Sequence, residues 1–303
     1  MAVAVVTDSA AAIPAKLARR LKIVVAPMRL TIGDHSYNED QIPLDEVVRR
    51  FDEGIHTAGP SPGDLQGILV TADRGDGVVV LTVSERMSST YKSALLASEL
   101  SGCSAAVIDT RSAAGGQSLV VMAAARAARA GQDLASVVAS AAQVRDAVRM
   151  VATVETLDYL VRGGRLPEPA GRAGRYLGVR PIFELRGDGI KALRPALSRD
   201  RALEALLGHW RRSRPAGDAA LHLAVSHALD PGAAEFLVDG VRGNLEPATT
   251  LVESFSPVMV AHTGPGVVGL AWYWEPAGEA GAGGAGAGGA GDGGAGDGGA
   301  GGR

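Results

Sequence analysis

Hydroxyl side chains gather in one short segment, Ser84 to Thr90, directly after the apolar run Val78–Val83. Ser88, Ser89 and Thr90 stand at the start of a helical pattern, where hydroxyls either cap the helix or bind a ligand at its positive end. A serine placed there could also serve as a nucleophile. The segment alone leaves these interpretations open, because Ser and Thr are favoured helix caps everywhere.

A second residue that could do chemistry is His262, which lies just before the Gly-Pro-Gly turn at 264–266. Glycines in such a turn let the backbone approach a ligand closely. We expect His262 at the end of an apolar strand, Leu251–Val260. An ordinary structural histidine is the other interpretation, and it is the one we favour for His222 and His227, whose spacing does not suit a helical metal site.

Known catalytic motifs narrow the possible activities. The sequence contains no GxxxxGK loop, no HExxH, no GxSxG elbow and no carboxylate-rich metal loop. We therefore expect no metal and no cofactor. One enzymatic alternative is an acyl hydrolase or acyltransferase with Ser88 as nucleophile and His262 as base, although no carboxylate orienter supports it. Another alternative, a relative of small-sugar kinases that has lost nucleotide binding, rests on fold analogy alone.

Composition excludes further classes of function. The 303 residues are 46% apolar with a formal net charge of -3, and the basic residues are scattered, so we expect no binding of nucleic acid. The single cysteine, Cys103, excludes an intramolecular disulfide and a cysteine-based zinc site. No apolar run approaches about 18 residues and the N-terminus does not resemble a signal peptide. We expect a cytoplasmic protein without stable membrane insertion.

The elements that must position these residues alternate between strand and helix over residues 1–150. The run Val78–Val83 is rich in β-branched residues and suits a strand buried on both faces of a parallel sheet. We predict a mostly parallel sheet covered by helices, with irregular segments at 34–37 and 57–62. The other predicted elements are strands Ala2–Val6, Ile23–Ile32 and Ala105–Thr110, and helices Pro14–Leu21, Pro43–Gly54, Pro62–Asp73, Ala113–Ala130 and Asp133–Val148.

Residues 151–276 have a different pattern, which predicts a second α/β domain with a mixed sheet and helices on one face. After a strand and a short helix comes a glycine pair, 163–164, where one glycine could end the helix in a left-handed cap. The later elements are a hairpin of Arg180–Arg186 with Ile190–Leu197, helices Arg199–Arg212 and Pro231–Val241, and strands Ala220–Ser226, Leu251–Val260 and Val267–Trp274. Residues 277–303, almost all Gly and Ala, are expected to form a disordered tail.

Eight short motifs occur in one order along the chain: VVTDSAAAIP, VVAPMRLTIGDHSY, TAGPSP, SERMSSTYKSA, VIDT, LDYLVRGGRL, KALRPALSRDRAL and HTGPG. Together they resemble the DegV family of fatty-acid-binding proteins over about residues 1 to 275. The resemblance implies a two-domain α/β protein that holds one long-chain fatty acid in an apolar tunnel, with its carboxylate between the domains. Such a protein is not itself an enzyme.

The resemblance also implies a partner and a set of site residues. Some relatives are carrier subunits of a fatty acid kinase in phospholipid synthesis, whose separate ATP-binding subunit phosphorylates the bound carboxylate to an acyl phosphate. By motif, Thr57 and Ser88 correspond to direct partners of the carboxylate, and Arg165 and His262 to the charged groups beside it. The sequence departs from the usual pattern at 58 and 89, where it has Ala and Ser instead of the common Ser and Gly.

Overall fold

The computed structural model describes residues 2–166, 178–186 and 189–276. The predicted α/β class is confirmed: the described residues form a parallel four-stranded sheet, a mixed six-stranded sheet and a small antiparallel sheet of three strands. The predicted tail at 277–303 lies outside the described residues.

Ten helices lie in the described ranges: α1 Ala15–Leu21, α2 Leu44–Arg49, α3 Pro62–Ala72, α4 Thr90–Ser101, α5 Ala114–Arg129, α6 Leu134–Ala147, α7 Asp158–Arg162, α8 Arg199–Arg211, α9 Pro231–Arg242 and α10 Pro257–Thr263. The strands in the same ranges are β1 Ala4–Asp8, β2 Ile23–Ala26, β3 Arg29–Ile32, β4 His35–Asn38, β5 Ile55–Ala58, β6 Val78–Thr82, β7 Ala105–Asp109, β8 Arg149–Thr153, β9 Ile182–Arg186, β10 Gly189–Ala192, β11 Ala219–His227, β12 Thr249–Ser254 and β13 Val268–Pro276. Most predicted helices and the hairpin β9–β10 are therefore confirmed.

The parallel sheet has the order β2-β1-β6-β7, and β6 is buried along its whole length. Successive side chains of a strand point to opposite faces. Val78 and Val80 accordingly pack with α3 and α4, while Val79 and Leu81 belong to the larger core cluster that includes α5 and α6. The loop after β6 leaves from the carboxyl edge of this sheet, where ligands bind in open α/β folds.

The mixed sheet has the order β10-β9-β8-β13-β11-β12. Leu223 and Val225 of β11 pack with α8 and α9, as the prediction of helices on one face requires, whereas Ala224 belongs to the core cluster of α5. Helix α5 covers the other face of this sheet and is buried almost all round. Because Gly115 has no side chain, α5 can approach β11 so closely that a Cβ there would lie 3.0 Å from the Cβ of Ala224.

The predicted single strand Ile23–Ile32 is wrong. Pro27 separates β2, an edge strand of the parallel sheet, from β3, which pairs with β4 and β5 in the antiparallel sheet. The segments 34–37 and 57–62, predicted to be irregular, contain most of β4 and part of β5. The helix expected at Pro43–Gly54 divides into α2 and a short 3-10 turn, Phe51–Glu53. Turn-forming residues mark local bends, but they do not show distant strand partners.

The predicted strand Leu251–Val260 is also wrong, with a direct consequence for His262. The strand β12 ends at Ser254, and α10 begins at Pro257. The side chain of Ser256 caps this helix by accepting a hydrogen bond from the backbone N–H of Met259. Ser followed by Pro is a helix-start signal, and it outweighs the apolar character of the run. His262 therefore lies in the last turn of a helix and not at a strand end.

Candidate functional site

A cavity of about 300 Å³, here called the central cavity, lies at the carboxyl edge of the parallel sheet. It brings together all four residues identified by motif: Thr57 of β5, Ser88 of the loop after β6, Arg165 after α7 and His262 of α10. Its remaining walls are mostly apolar and include Ala10, Met28, Val83, Met87, Leu160, Val258 and Met259. The roles of the four residues stay predictions.

Thr57 and His262 contact each other in the wall of the central cavity. The Oγ1 atom of Thr57 lies 2.7 Å from Nε2 of His262. On the other side of the ring, a Cβ placed on Gly163 would lie only 2.6 Å from Nδ1, so the glycine leaves space for the imidazole. Burial, with a smaller effect of the nearby Arg165 charge, lowers the pKa of His262 to about 4. The imidazole is therefore neutral near pH 7.

Arg165 reaches the central cavity from the turn that follows α7. Gly164 has a φ of 72°, a left-handed conformation that ends the helix as predicted. The guanidinium Nε of Arg165 donates to the carbonyl of Met87 at 3.1 Å, and its NH1 donates to the carbonyl of Gly163. Burial lowers the pKa of Arg165, and within the described ranges no carboxylate forms an ion pair with it. A half-buried cation in this state attracts an anion.

Ser88 both supports the helix and lines the central cavity. Its Oγ accepts a hydrogen bond from the backbone N–H of Thr90 at 3.3 Å and lies 2.8 Å from the Thr90 Oγ1. The neighbouring Ser89, at the N-cap of α4, makes no side-chain capping bond. Gly59 packs against this hydroxyl pair, since a Cβ there would lie 2.4 Å from the Thr90 Oγ1. Ser88 therefore both stabilises the start of α4 and faces the space where a ligand could bind.

Two buried carboxylates hold the walls of the central cavity. Asp8 accepts hydrogen bonds from the backbone N–H groups of Val83 at 2.7 Å and Ala10 at 3.1 Å, and burial raises its pKa to about 6. Glu39 accepts from the backbone N–H of Val258 at 2.6 Å, which fixes the start of the helix that carries His262. These contacts hold the loop after β6 and helix α10 in place from outside the cavity.

A sequence profile described as the DegV family of uncharacterised proteins matches residues 2–275. The chain belongs to the DegV family. A DegV domain-containing protein of Mycobacterium tuberculosis is 31% identical over 278 residues, which are 89% of this chain and 96% of that relative. The match covers nearly all of both proteins, so the assignment applies to the whole described fold and not to one motif.

Solved DegV structures agree with the fold. A structure reporting fatty acid binding of a DegV protein from Thermus thermophilus has a TM-score of 0.84 and 28% identity, and covers 90% of this chain and 100% of that one. A protein from Thermotoga maritima, whose structure is described as revealing a fatty acid binding function, has a TM-score of 0.80 and 25% identity, with 90% and 99% coverage.

In this DegV chain the geometry does not activate Ser88 as a nucleophile. The hydroxyl of Ser88 bonds within its own loop, and the imidazole of His262 bonds to Thr57. Across residues 2–166, 178–186 and 189–276, no hydrogen bond joins Ser88 to His262 and no carboxylate bonds to that imidazole. In the same ranges no helix is long and apolar enough to span a membrane, and no group of three or more His, Cys, Asp or Glu could hold a metal ion.

The sequence did not identify Gly59 and Gly163 as parts of the DegV site. At each glycine, a side chain distant in sequence occupies the space that a Cβ would need: Thr90 at Gly59 and His262 at Gly163. Such a contact between distant residues leaves no signal in the local sequence. The motif order gave a partial signal for Gly163, since it stands beside Arg165 in the LDYLVRGGRL motif. A larger cavity of about 920 Å³, along β1 and α3, contains none of the motif residues named above for the carboxylate.

Proposed function

We propose that this DegV protein binds one long-chain fatty acid, with its carboxylate among Thr57, Ser88, Arg165 and His262 and its acyl chain along the apolar walls of the central cavity. The observation that carries the proposal is the half-buried Arg165, which has no carboxylate partner among the described residues and stands beside two hydroxyls and a neutral imidazole. A carboxylate leaving water needs hydrogen-bond donors and positive charge, or it protonates.

The acyl chain supplies most of the binding free energy in this proposal. About 14 methylenes at roughly 0.8 kcal/mol each give on the order of 11 kcal/mol gross, before the costs of ordering the ligand. The polar groups then set the orientation. Thr57 and Ser88 belong to residues 1–150, whereas Arg165 and His262 belong to residues 151–276. This distribution supports a two-domain division with the carboxylate at the domain interface. Fatty acid binding by the relatives from Thermus and Thermotoga supports the same ligand class.

We further propose that the protein acts as a carrier, not as an enzyme, and presents the carboxylate to a separate kinase subunit that phosphorylates it to an acyl phosphate. Arg165 and His262 are only half-buried, which supports access by a partner. The positive charge of Arg165 and the N–H group of the neutral His262 imidazole would stabilise the negative charge that grows when a phosphoryl group arrives. Thr57 and Ser88, as neutral donors, would chiefly hold the ligand.

The direct test is the lipid content of the purified full chain. We expect native mass spectrometry to show one fatty acid per chain, because an unfilled apolar cavity forfeits its packing contacts. Denaturation and extraction would then identify the acid. Recovery of no lipid, together with no binding of added acids of about 14 to 18 carbons, would contradict the proposal. Hydrolysis of activated acyl esters that disappears in Ser88→Ala would instead favour the hydrolase alternative.

A further inference from the structure

Three methionines, Met28, Met87 and Met259, line the central cavity. The whole chain contains only six methionines, so half of them meet at one small space. All three belong to one core cluster, in which Met28 and Met259 are buried and Met87 is partly buried. They come from separate parts of the fold: the turn between β2 and β3, the loop after β6, and helix α10.

The backbone of each of these methionines is fixed by hydrogen bonds at both its N–H and its carbonyl group. The partners of the N–H and of the carbonyl are, in that order, Ser9 and Glu39 for Met28, Ser84 and Arg165 for Met87, and Ser256 and Thr263 for Met259. The bond from Met259 to Ser256 measures 3.4 Å, and the others lie between 2.9 and 3.1 Å. A change in the shape of this wall must therefore come from the side chains.

The polar end of the same cavity is also held in place. Thr57 contacts His262 at 2.7 Å, and Arg165 donates to two backbone carbonyls. A methionine side chain, by contrast, is unbranched, with three rotatable bonds and a polarizable sulfur, and it adapts to irregular spaces. The cavity therefore combines a fixed polar end with apolar walls that can change shape.

The central cavity is small for a long-chain fatty acid. Its volume of about 300 Å³ is at the lower end of the roughly 300 to 1,000 Å³ of ligand sites. In an apolar pocket of fixed shape, one methylene more or less changes discrimination by about 10- to 200-fold. Flexible methionine-rich surfaces instead repack around ligands of different shape. Rotation of the three methionine side chains can thus make room for an acyl chain while the backbone stays in place.

We propose that Met28, Met87 and Met259 form an adaptable wall, which lets the protein bind straight and cis-kinked acyl chains of one length with similar affinity. The inference rests on the proposed fatty acid binding and adds the class of acid: long-chain acids with or without a cis double bond. The head-group end selects the carboxylate, and the adaptable wall accepts the bend that a cis double bond imposes on the chain.

Displacement of a fluorescent fatty acid from the full chain tests the adaptable wall, with palmitic and palmitoleic acids as competitors. The two acids have the same number of carbons, and only palmitoleic acid has a cis double bond. We expect their affinities for the wild type to agree within about threefold. Combining Met28→Leu, Met87→Leu and Met259→Leu keeps the apolar volume but removes a rotatable bond and the sulfur at each position. The two affinities should then differ by about tenfold or more.

The control variant combines Met122→Leu with Met150→Leu. Both methionines are buried in the same core cluster but do not line the central cavity, so the ratio of the two affinities should stay at its wild-type value. If neither acid binds the wild type, fatty acid binding itself is wrong. If both bind, the adaptable wall is refuted when the wild type separates them by more than about tenfold, or when the triple variant keeps the ratio of the control.

NMR of the wild type, with methionine labelled by ¹³C at its methyl group, provides a second measurement if the triple variant lowers Tm. The signals of Met28, Met87 and Met259 should differ between the palmitic and palmitoleic acid complexes, because their side chains take different rotamers around the two chains. The signals of Met122 and Met150 should coincide in the two complexes. Identical signals from the three cavity methionines in both complexes would overturn the proposal.

Discussion

Two polar regions of this molecule differ in how a buried charge is compensated. In the central cavity, Arg165 has no carboxylate partner among the described residues. Between α5 and the mixed sheet, Glu253 is 3% exposed and its contacts are two hydroxyls, Ser118 and Ser226, each at 2.9 Å. Burial raises the pKa of Glu253 to about 8. The first region faces a cavity and can take an anion, while the second is closed and can take only a proton.

Hydrogen-bond direction supports a neutral Glu253. The hydroxyl of Ser118 has one proton and contacts both the carbonyl of Ala11 and the Glu253 Oε2. A carbonyl can only accept, so Ser118 donates to Ala11 and Glu253 must donate to Ser118. Ser226 accepts from the backbone N–H of Gly115 at 3.2 Å and donates to the other oxygen of Glu253. A protonated acid therefore satisfies every member of the group.

The surroundings of a buried charge decide how it is neutralised. A closed site costs least when the group gives up its charge, as Glu253 does. A charged group beside an open cavity, such as Arg165, can stay ionised because an anionic ligand can enter and compensate its charge.

Transfer of a phosphoryl group to the bound carboxylate should depend most strongly on Arg165 and His262. With a cognate kinase and ATP, Arg165→Ala should lower acyl phosphate formation about 10²- to 10³-fold, as loss of one charge-stabilising donor does elsewhere, and His262→Ala should act in the same direction. Both variants should stay folded and loaded with lipid. The measurement is kinase turnover beside displacement of a fluorescent fatty acid. Arg162→Ala, on the exposed side of α7, is the control, and equal losses of affinity and turnover at 165 and 262 would refute this division of roles.

Glu253→Gln should stabilise the protein at neutral pH. Its folded pKa of about 8 lies above the ordinary value of 4.5, so the unfolded chain releases the proton first and stability falls as pH rises from about 4.5 to 8. At pH 7 the cost is about 3 kcal/mol. Glutamine keeps both hydrogen bonds without the charge. Urea unfolding across this pH range should show a flatter pH dependence in the variant, and an unchanged slope would mean that Glu253 is ionised in the fold.

Ser88→Ala should weaken lipid binding by roughly 1.5 to 3 kcal/mol, the value of one hydrogen bond to a charged group. Fluorescent fatty-acid displacement measures it. Ser136→Ala, in the first turn of α6 and not among the residues that line the central cavity, is the matched control and should leave affinity unchanged. Similar affinity in both variants would show that Ser88 only supports the helix.

The smallest expected effect comes from Gly163→Ala, which should displace the imidazole of His262 and weaken binding by about 1 kcal/mol through overpacking. Gly67→Ala in α3 is the control, because a Cβ there meets nothing within 4 Å. We expect that control to bind normally and to be slightly more stable, since alanine favours helix. If Gly163→Ala binds as well as Gly67→Ala, the close approach has no role in the site.

Part of this arrangement was predictable from the sequence. The β-branched run of β6 and the long apolar pattern of α5 predicted their positions, because local pattern and burial agree there. The pairing of β3 with β5 was not predictable, since no local signal records a distant partner. The contact between Thr57 and His262 spans 205 residues, and only the ordered motifs indicated that these residues share one site.

One titration compares the two regions within a single protein. The full chain is loaded with a fatty acid carrying ¹³C at its carboxyl carbon, glutamate is labelled at its carboxyl carbon, and both are followed by NMR against pH. We predict that the bound fatty acid titrates below the roughly 4.3 of a carboxyl in water, since Arg165 and the hydroxyls stabilise its charge, and that Glu253 titrates near 8. A bound fatty acid whose pKa is raised, and does not change in Arg165→Ala, would contradict the account.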